Sequence, residues 1–342
     1  MDELNWMQQY AAAEVIEQAD EGRLTRREVM VRLVAICGTP ALAASFLAAC
    51  ASSSGGAAVT SAATTTASAA TSTAATTSAS TTAAATTATT APPISSSGGT
   101  TTASTIAGRA LSVAADDPAV RHEAVTFPGP AGTLFGEIAR PAAAGKHPGV
   151  IVIHEISGLT DHIRDVTRRV AKAGYVALAV DLASRAGGTA KAGNVSGALT
   201  QGPVTDRVAD LDGGLAYLAQ QPDFNGKLGV VGFCFGGGMT LSYAAAQPKV
   251  LAAVPYYGPT PQPPSVMSAT GAAILAQYGA NDARVNAGIG DLEAALAGKT
   301  FEKKIYDGAG HAFNNDTGGA YNEAVAVQAW QATLAWFAKY LA

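Results

Sequence analysis

Gly229-Val-Val-Gly-Phe-Cys-Phe-Gly-Gly237 is the stretch on which the reading of the fold turns. An apolar strand ends at Val231, a glycine-rich turn carries Cys234, and residues 239–246 have the composition of a helix. Gly232 and Gly236 stand two before and two after the cysteine, where a Cβ would meet the neighbouring strand and helix. Such a turn lifts the sulfur above the sheet. It also leaves the sulfur at a helix N-terminus, where the dipole and unpaired N–H groups favour a thiolate.

Working outward, the 342 residues are not uniform. No acidic or basic residue occurs between Arg32 and Arg109, and no Phe, Trp or Tyr between Phe46 and Phe127. Residues 51–107 are almost entirely Ala, Thr, Ser and Gly, interrupted by Pro92-Pro93. That segment has too little apolar bulk to offset its ordering entropy and is predicted to be a disordered linker. Residues 108–342 suffice for one α/β domain. A net charge of −4 gives no reason to propose a nucleic-acid partner. The three cysteines, Cys37, Cys50 and Cys234, lie in unrelated contexts, so neither a disulfide framework nor a metal site is expected.

Residues 1–50 read as an extension followed by an export signal. Arg26-Arg27 precede an apolar stretch, residues 33–49, that contains Gly38 and Pro40 and is short for a membrane span. It ends in Leu47-Ala48-Ala49-Cys50, which resembles the lipobox of bacterial lipoproteins, while the paired arginines resemble a twin-arginine signal. The resemblance implies that Cys50 becomes the lipidated first residue of the mature protein and that Cys37 is discarded with the leader. The alternative is an uncleaved N-terminal membrane helix. Either way the chain is expected to be exported and membrane-anchored on the extracytoplasmic side. The linker then serves as a tether with a root-mean-square span of roughly 40 Å. Residues 1–22 are acidic and predicted helical, and they acquire no function from the sequence.

Along the rest of the chain, strands are predicted at 133–139, 148–154, 175–180, 228–231, 250–255, 274–278 and 301–306. Helices are predicted at 161–173, 204–220 and 321–341, and 126–130 reads as a turn. This alternation argues for an α/β fold with one mostly parallel central sheet covered by helices on both faces.

Strand, turn and helix around Cys234 resemble the nucleophile elbow of α/β-hydrolases, with cysteine where serine usually sits. In that fold the acid and then the histidine follow the nucleophile on loops after later strands. Asp282 stands in the loop Gly279-Ala-Asn-Asp282, and His311 in Asp307-Gly-Ala-Gly-His311. His122, His147, His154 and His162 all precede the nucleophile and are in the wrong order. Asp307 and Asp316 are the rivals of Asp282 for orienting His311. The loop His154-Glu-Ile-Ser-Gly158 ends the first central strand, and there the backbone N–H of Ile156 is assigned to an oxyanion hole with that of Phe235. Glu155 beside them needs a partner if it is buried.

His-Glu-Ile-x-Gly, Asp-Leu-x-x-Arg (Asp181 to Arg185), Gly-x-Cys-x-Gly-Gly, Gly-x-x-Asp and Gly-x-x-His-x-Phe occur in this order. Together, from about residue 120 to the C-terminus, they resemble the dienelactone hydrolase family. The resemblance implies an α/β-hydrolase fold and a Cys-His-Asp triad, with Cys234 as nucleophile, His311 as base and Asp282 as its orienter. It implies further that Glu155 contacts the resting thiol and helps deliver a thiolate, and that Arg185 binds a substrate carboxylate. No cofactor is implied, and the expected partner is a small-molecule ester or lactone. One departure stands out: the family often has a second arginine where this chain has Asn315, followed by Asp316. Losing a guanidinium removes a charge-assisted clamp, and Asp316 would repel an anion. Ester or lactone hydrolysis is therefore expected, with dienelactone itself disfavoured. An acyltransferase or thioesterase acting on envelope material is the alternative.

Overall fold

The computed structural model describes residues 4–20, 24–53 and 109–342. Residues 54–107 of the expected linker lie outside the described residues. Three helices come first, α1 (Trp6–Asp20), α2 (Arg26–Cys37) and α3 (Pro40–Ser53). Strands β1 (Val120–Gly129), β2 (Gly132–Pro141) and β3 (His147–Ile153) precede α4 (Asp161–Lys172) and β4 (Val176–Asp181). Then come a 3-10 turn at Ser184–Ala186, α5 (Val195–Thr200), α6 (Val204–Leu218), β5 (Phe224–Phe233) and α7 (Phe235–Ala246). The chain continues through β6 (Val250–Tyr256), β7 (Ala273–Gly279), α8 (Ala283–Asn286), α9 (Ile289–Ala295), β8 (Phe301–Tyr306) and α10 (Glu323–Leu341).

The strands form one eight-stranded sheet in the order β1-β2-β4-β3-β5-β6-β7-β8. Pairing is antiparallel at β1–β2 and β2–β4 and parallel from β4 through β8. Every residue of β4 and β7 is buried. Successive side chains point to opposite faces, so both faces of the sheet are covered, which explains why these strands read as unbroken apolar runs. This is an α/β-hydrolase fold. The sequence reading placed a turn at 126–130 and missed β1. In that strand only Val120 and Phe127 are buried, because it is the sheet's edge and most of its side chains face water. The short helices α5, α8 and α9 also lacked a readable period.

The apolar stretch 33–49 is not one helix. Thr25 and Glu28 form a capping box that starts α2, and Gly38 ends it at φ 84°. Arg26–Cys37 and Pro40–Cys50 meet at a bend of 113°. Among the described residues no single helix is long and apolar enough to cross a membrane. Instead, α1 has two working faces. Leu4, Ala11, Ala12 and Val15 pack with Val29, Leu33, Ile36 and Phe46 of α2 and α3. Met7 and Tyr10, one turn apart, join the core of the hydrolase domain.

The turn from β5 into α7 fixes the position of Cys234. A Cβ on Gly236 would lie 2.3 Å from the Ile153 carbonyl oxygen, and one on Gly232 would lie 2.1 Å from that of Gly236. Neither neighbour is a flexible side chain. Gly236→Ala is therefore expected to destabilise the fold by about 3 kcal/mol, lowering Tm by roughly 6–12 °C. Gly290→Ala in α9, where nothing lies within 4 Å of the added carbon, is expected to leave Tm unchanged or raise it. Calorimetry of the two variants checks both.

Candidate active site

The loops after β3, β5, β7 and β8 carry Glu155, Cys234, Asp282 and His311, so four separated stretches of sequence meet at the C-terminal edge of the parallel sheet. Cys234 adopts φ 57°, ψ −121° as the residue before α7. Among the described residues the other non-glycine positions at positive φ are Tyr257 (38°) and Ala312 (60°). Ala312 follows His311 directly, and the Tyr257 ring meets the His311 ring edge-on at 5.0 Å. Backbone strain of about 1–3 kcal/mol per residue is thus gathered around one site.

His311 Nδ1 lies 2.6 Å from Asp282 Oδ2, and Asp282 Oδ1 also accepts from the Val285 N–H. Burial alone would lower the His311 pKa, but the bond to Asp282 and the charges of Glu14 and Asp282 outweigh it and hold the imidazole above its usual value. Burial works to raise Asp282, and its bond to His311 overcomes this and keeps the carboxyl low. Of the rivals, Asp307 is exposed. Asp316 is buried and turned to Arg169 (2.7 Å) and His162 (2.9 Å). The expectation that Asp316 would repel an anion loses its basis, since its charge is compensated where it sits.

The thiol's surroundings differ from expectation. Cys234 Sγ, a Glu14 carboxylate oxygen and a His311 ring nitrogen lie within 4.8 Å of one another. The Cys234 thiol donates to Glu14 Oε2 at 3.2 Å. The Tyr10 hydroxyl donates to Cys234 Sγ at 3.5 Å and stands 3.3 Å from His311 Nε2. Both partners belong to α1. Glu155, the carboxylate expected to touch the thiol, instead accepts from Asn315 Nδ2 at 2.7 Å through Oε2, and among the described residues its buried Oε1 has no hydrogen-bond partner. Burial, then the charges of Glu14 and Glu155, push the Cys234 thiol well above its usual range. Burial likewise raises Glu155. Sequence reasoning missed Tyr10 and Glu14; their spacing from Met7 on one helical face was the available signal, with no motif to aim it.

Ile156 is half-buried beside this site, and Phe235 is the first residue of α7, where N–H groups have no intrahelical acceptor. His154 bridges the loops after β3 and β4, with Nδ1 2.7 Å from the Glu155 carbonyl and Nε2 accepting the Leu182 N–H at 3.0 Å. Arg185 is engaged elsewhere: it donates to both Asp210 carboxylate oxygens at 2.9 and 3.0 Å and pairs with Asp206 at 3.3 Å. A substrate carboxylate would have to compete with both aspartates. Cys50 lies in α3, packed at the edge of the N-terminal cluster. Glu14, Cys234 and His311 could together hold a metal ion, being of the donor types zinc prefers.

Comparison with known proteins covers the part of the chain that carries this site. The chain is 34% identical over 241 residues to a putative carboxymethylenebutenolidase of Salmonella typhimurium, covering 66% of this chain and 89% of that protein. The crystal structure of a putative dienelactone hydrolase from Klebsiella pneumoniae superposes with a TM-score of 0.61 at 34% identity, over 65% of this chain and 100% of the other. A dienelactone hydrolase-like promiscuous phosphotriesterase from metagenomic libraries superposes with a TM-score of 0.57 at 25% identity, over 65% of this chain and 99% of the other. The model of the dienelactone hydrolase family matches residues 134–341. This chain is a hydrolase and belongs to the dienelactone hydrolase family.

Proposed function

We propose that the chain hydrolyses a small-molecule ester or lactone through Cys234, His311 and Asp282. The observation that carries this reading is the strained residue Cys234, set beside an imidazole whose far nitrogen is 2.6 Å from a buried carboxylate. His311 Nε2 takes the thiol proton, and the sulfur attacks the carbonyl carbon. The carbonyl oxygen becomes an oxyanion held by the N–H groups of Phe235 and Ile156. As the C–O bond breaks, the alcohol leaves with the proton from His311, and the acyl group remains as a thioester. Water then gives a proton to His311 and attacks the thioester, so the acid departs and the thiol is restored. Glu155 is buried nearby, where burial opposes its ionised form and the charge of His311 favours it. Asn315 orients it by donating to Oε2. A carboxymethylenebutenolidase-type lactone lies within this class, although Asn315 provides a neutral amide where a second arginine is often found. With short p-nitrophenyl esters and a butenolide, the full-length chain is expected to show hydrolysis that falls at least about 10³-fold in Cys234→Ala. In Asp282→Asn, which leaves His311 without its orienting charge, kcat is expected to fall about 10²- to 10⁴-fold. Unchanged rates in Cys234→Ala would refute the assignment.

We further propose that the chain is exported and tethered to the membrane through Cys50. Support comes from Arg26-Arg27, the apolar stretch 33–49 and Leu47-Ala48-Ala49-Cys50. The lipobox-like residues lie within α3, so this part of the helix must unwind for a peptidase to hold it extended. Expressed in a bacterial host, the chain is expected to partition into detergent and incorporate labelled palmitate, and Cys50→Ser to do neither.

A further inference from the structure

A hydrolytic thiol needs open space through which an ester carbonyl can reach it. In this chain that space is filled by the chain itself. Cys234 is only 2% exposed, and the residues over it are Tyr10 (8%) and Glu14 (7%) of α1. The contacts fall on the two atoms the reaction would use. Tyr10 sets its hydroxyl 3.5 Å from Sγ and 3.3 Å from His311 Nε2, between nucleophile and base. Glu14 accepts the thiol proton's hydrogen bond. A cleft of about 380 Å³ remains alongside α1, bounded by Glu14, Val15, Ile156 and Asn194, and neither Cys234 nor His311 lines it.

The helix is fastened along its length. Asn5 Nδ2 donates to the Thr200 carbonyl at 2.9 Å, and Met7 is wholly buried among hydrolase core residues. Arg284, two residues beyond Asp282, donates through Nε to Glu17 Oε2 at 2.9 Å and lies 4.5 Å from the centre of the Tyr10 ring. On the opposite side, Gln8 Nε2 donates to the Ile36 carbonyl of α2 at 2.9 Å. In turn, the Ala35 carbonyl accepts from Asn194 and Gln201 at 3.1 Å. The family match begins at residue 134, so α1 is outside the part shared with the family.

We propose that the face of the hydrolase above Cys234 is a docking surface whose occupant is α1 of the same chain, and that docked α1 shuts the site against substrate. The surface fits an amphipathic helix with an apolar anchor at Met7, a phenol at Tyr10 and carboxylates at Glu14 and Glu17, the last facing a guanidinium. Docked α1 accordingly holds the full-length chain below its full rate without abolishing hydrolysis, and release of the helix opens thiol and imidazole together. This inference rests on the Cys234 hydrolase reading above.

The test uses the full chain before any cleavage at Cys50, which would remove α1, with two readouts: iodoacetamide alkylation of Cys234, followed by peptide mass mapping, and hydrolysis of p-nitrophenyl acetate. Met7→Asp places a charge in the buried anchor, and Glu17→Lys sets a lysine against Arg284 at a partly exposed position, away from the hydrolase core. Alkylation and hydrolysis are expected to rise together, at least tenfold in Met7→Asp and several-fold in Glu17→Lys. A synthetic peptide of residues 4–20 added to Met7→Asp should slow both again. Rates that equal or fall below those of the unaltered chain in both variants would overturn the inference. If alkylation rises while no variant hydrolyses any ester, docking stands and the hydrolytic reading fails. If hydrolysis is lost in Cys234→Ala yet is indifferent to Met7→Asp and Glu17→Lys, the hydrolytic reading stands and the inference fails.

Discussion

The site depends on one backbone conformation, that of Cys234 at φ 57°, ψ −121°. No side chain favours it, so the surroundings must impose it. They do so through contacts that tolerate no extra atom. Cys234 donates its N–H to the Tyr256 carbonyl at 3.1 Å, and the Gly237 N–H returns to the Cys234 carbonyl at 2.8 Å. Gly236 lies against the end of β3, and a Cβ on Gly237 would be 2.5 Å from the Tyr256 carbonyl oxygen. The strands on either side of β5 therefore hold the turn as in a vice. The sulfur's position is set by the sheet rather than by the cysteine's own preferences.

The second constraint is electrostatic. Glu14, Glu155, Asp282, His311 and the thiol crowd a space largely closed to water. Buried charges are tolerated when each has a partner. Asp282 has His311, whereas Glu155 has one amide donor on one oxygen and none on the other. Burial drives both Glu155 and Cys234 toward their protonated forms. The docked arrangement is thus a resting state: the proton stays on sulfur, and the base that would remove it faces a phenol.

Much of this was legible in the sequence, and what was not has a common cause. The runs of β3 and β4 and the approach to the elbow are apolar because both sheet faces are covered, so the ends of these strands nearest the site could be read to within two residues, while the start of β5 lay four residues before its predicted position. Asp282 and His311 were findable because strand-end glycines mark the loops that carry them. The edge strand β1 was hidden because a strand mostly facing water has no apolar alternation to read. The bond between Asn315 and Glu155 joins residues far apart in sequence, and nothing at either position announces the other. The packing of α1 over the thiol was hidden for a different reason. Met7, Tyr10 and Glu14 form a helical face, but a face specifies that something is covered and not what covers it. Within residues 25–50, the apolar composition was read as one stretch, whereas Gly38 at positive φ and Pro40 divide it into two helices.

The distribution of cations ties recognition to the same helix. Of the two arginines a carboxylate-bearing substrate would be expected to meet, one position is Asn315, already donating to Glu155, and the other is Arg185, held by Asp206 and Asp210. The guanidinium that stands nearest the triad in sequence is Arg284, and Glu17 of α1 occupies its Nε, with Tyr10 across its face. Burial works to lower its pKa, but Tyr10, Glu14, Glu17 and Asp282 more than offset this, so its charge is secure. Among the described residues its Nη1 and Nη2 have no hydrogen-bond partner. A guanidinium in that condition gains from any carboxylate that approaches in a planar, two-pronged geometry. Glu17 meets it through one nitrogen only, so α1 satisfies this cation incompletely.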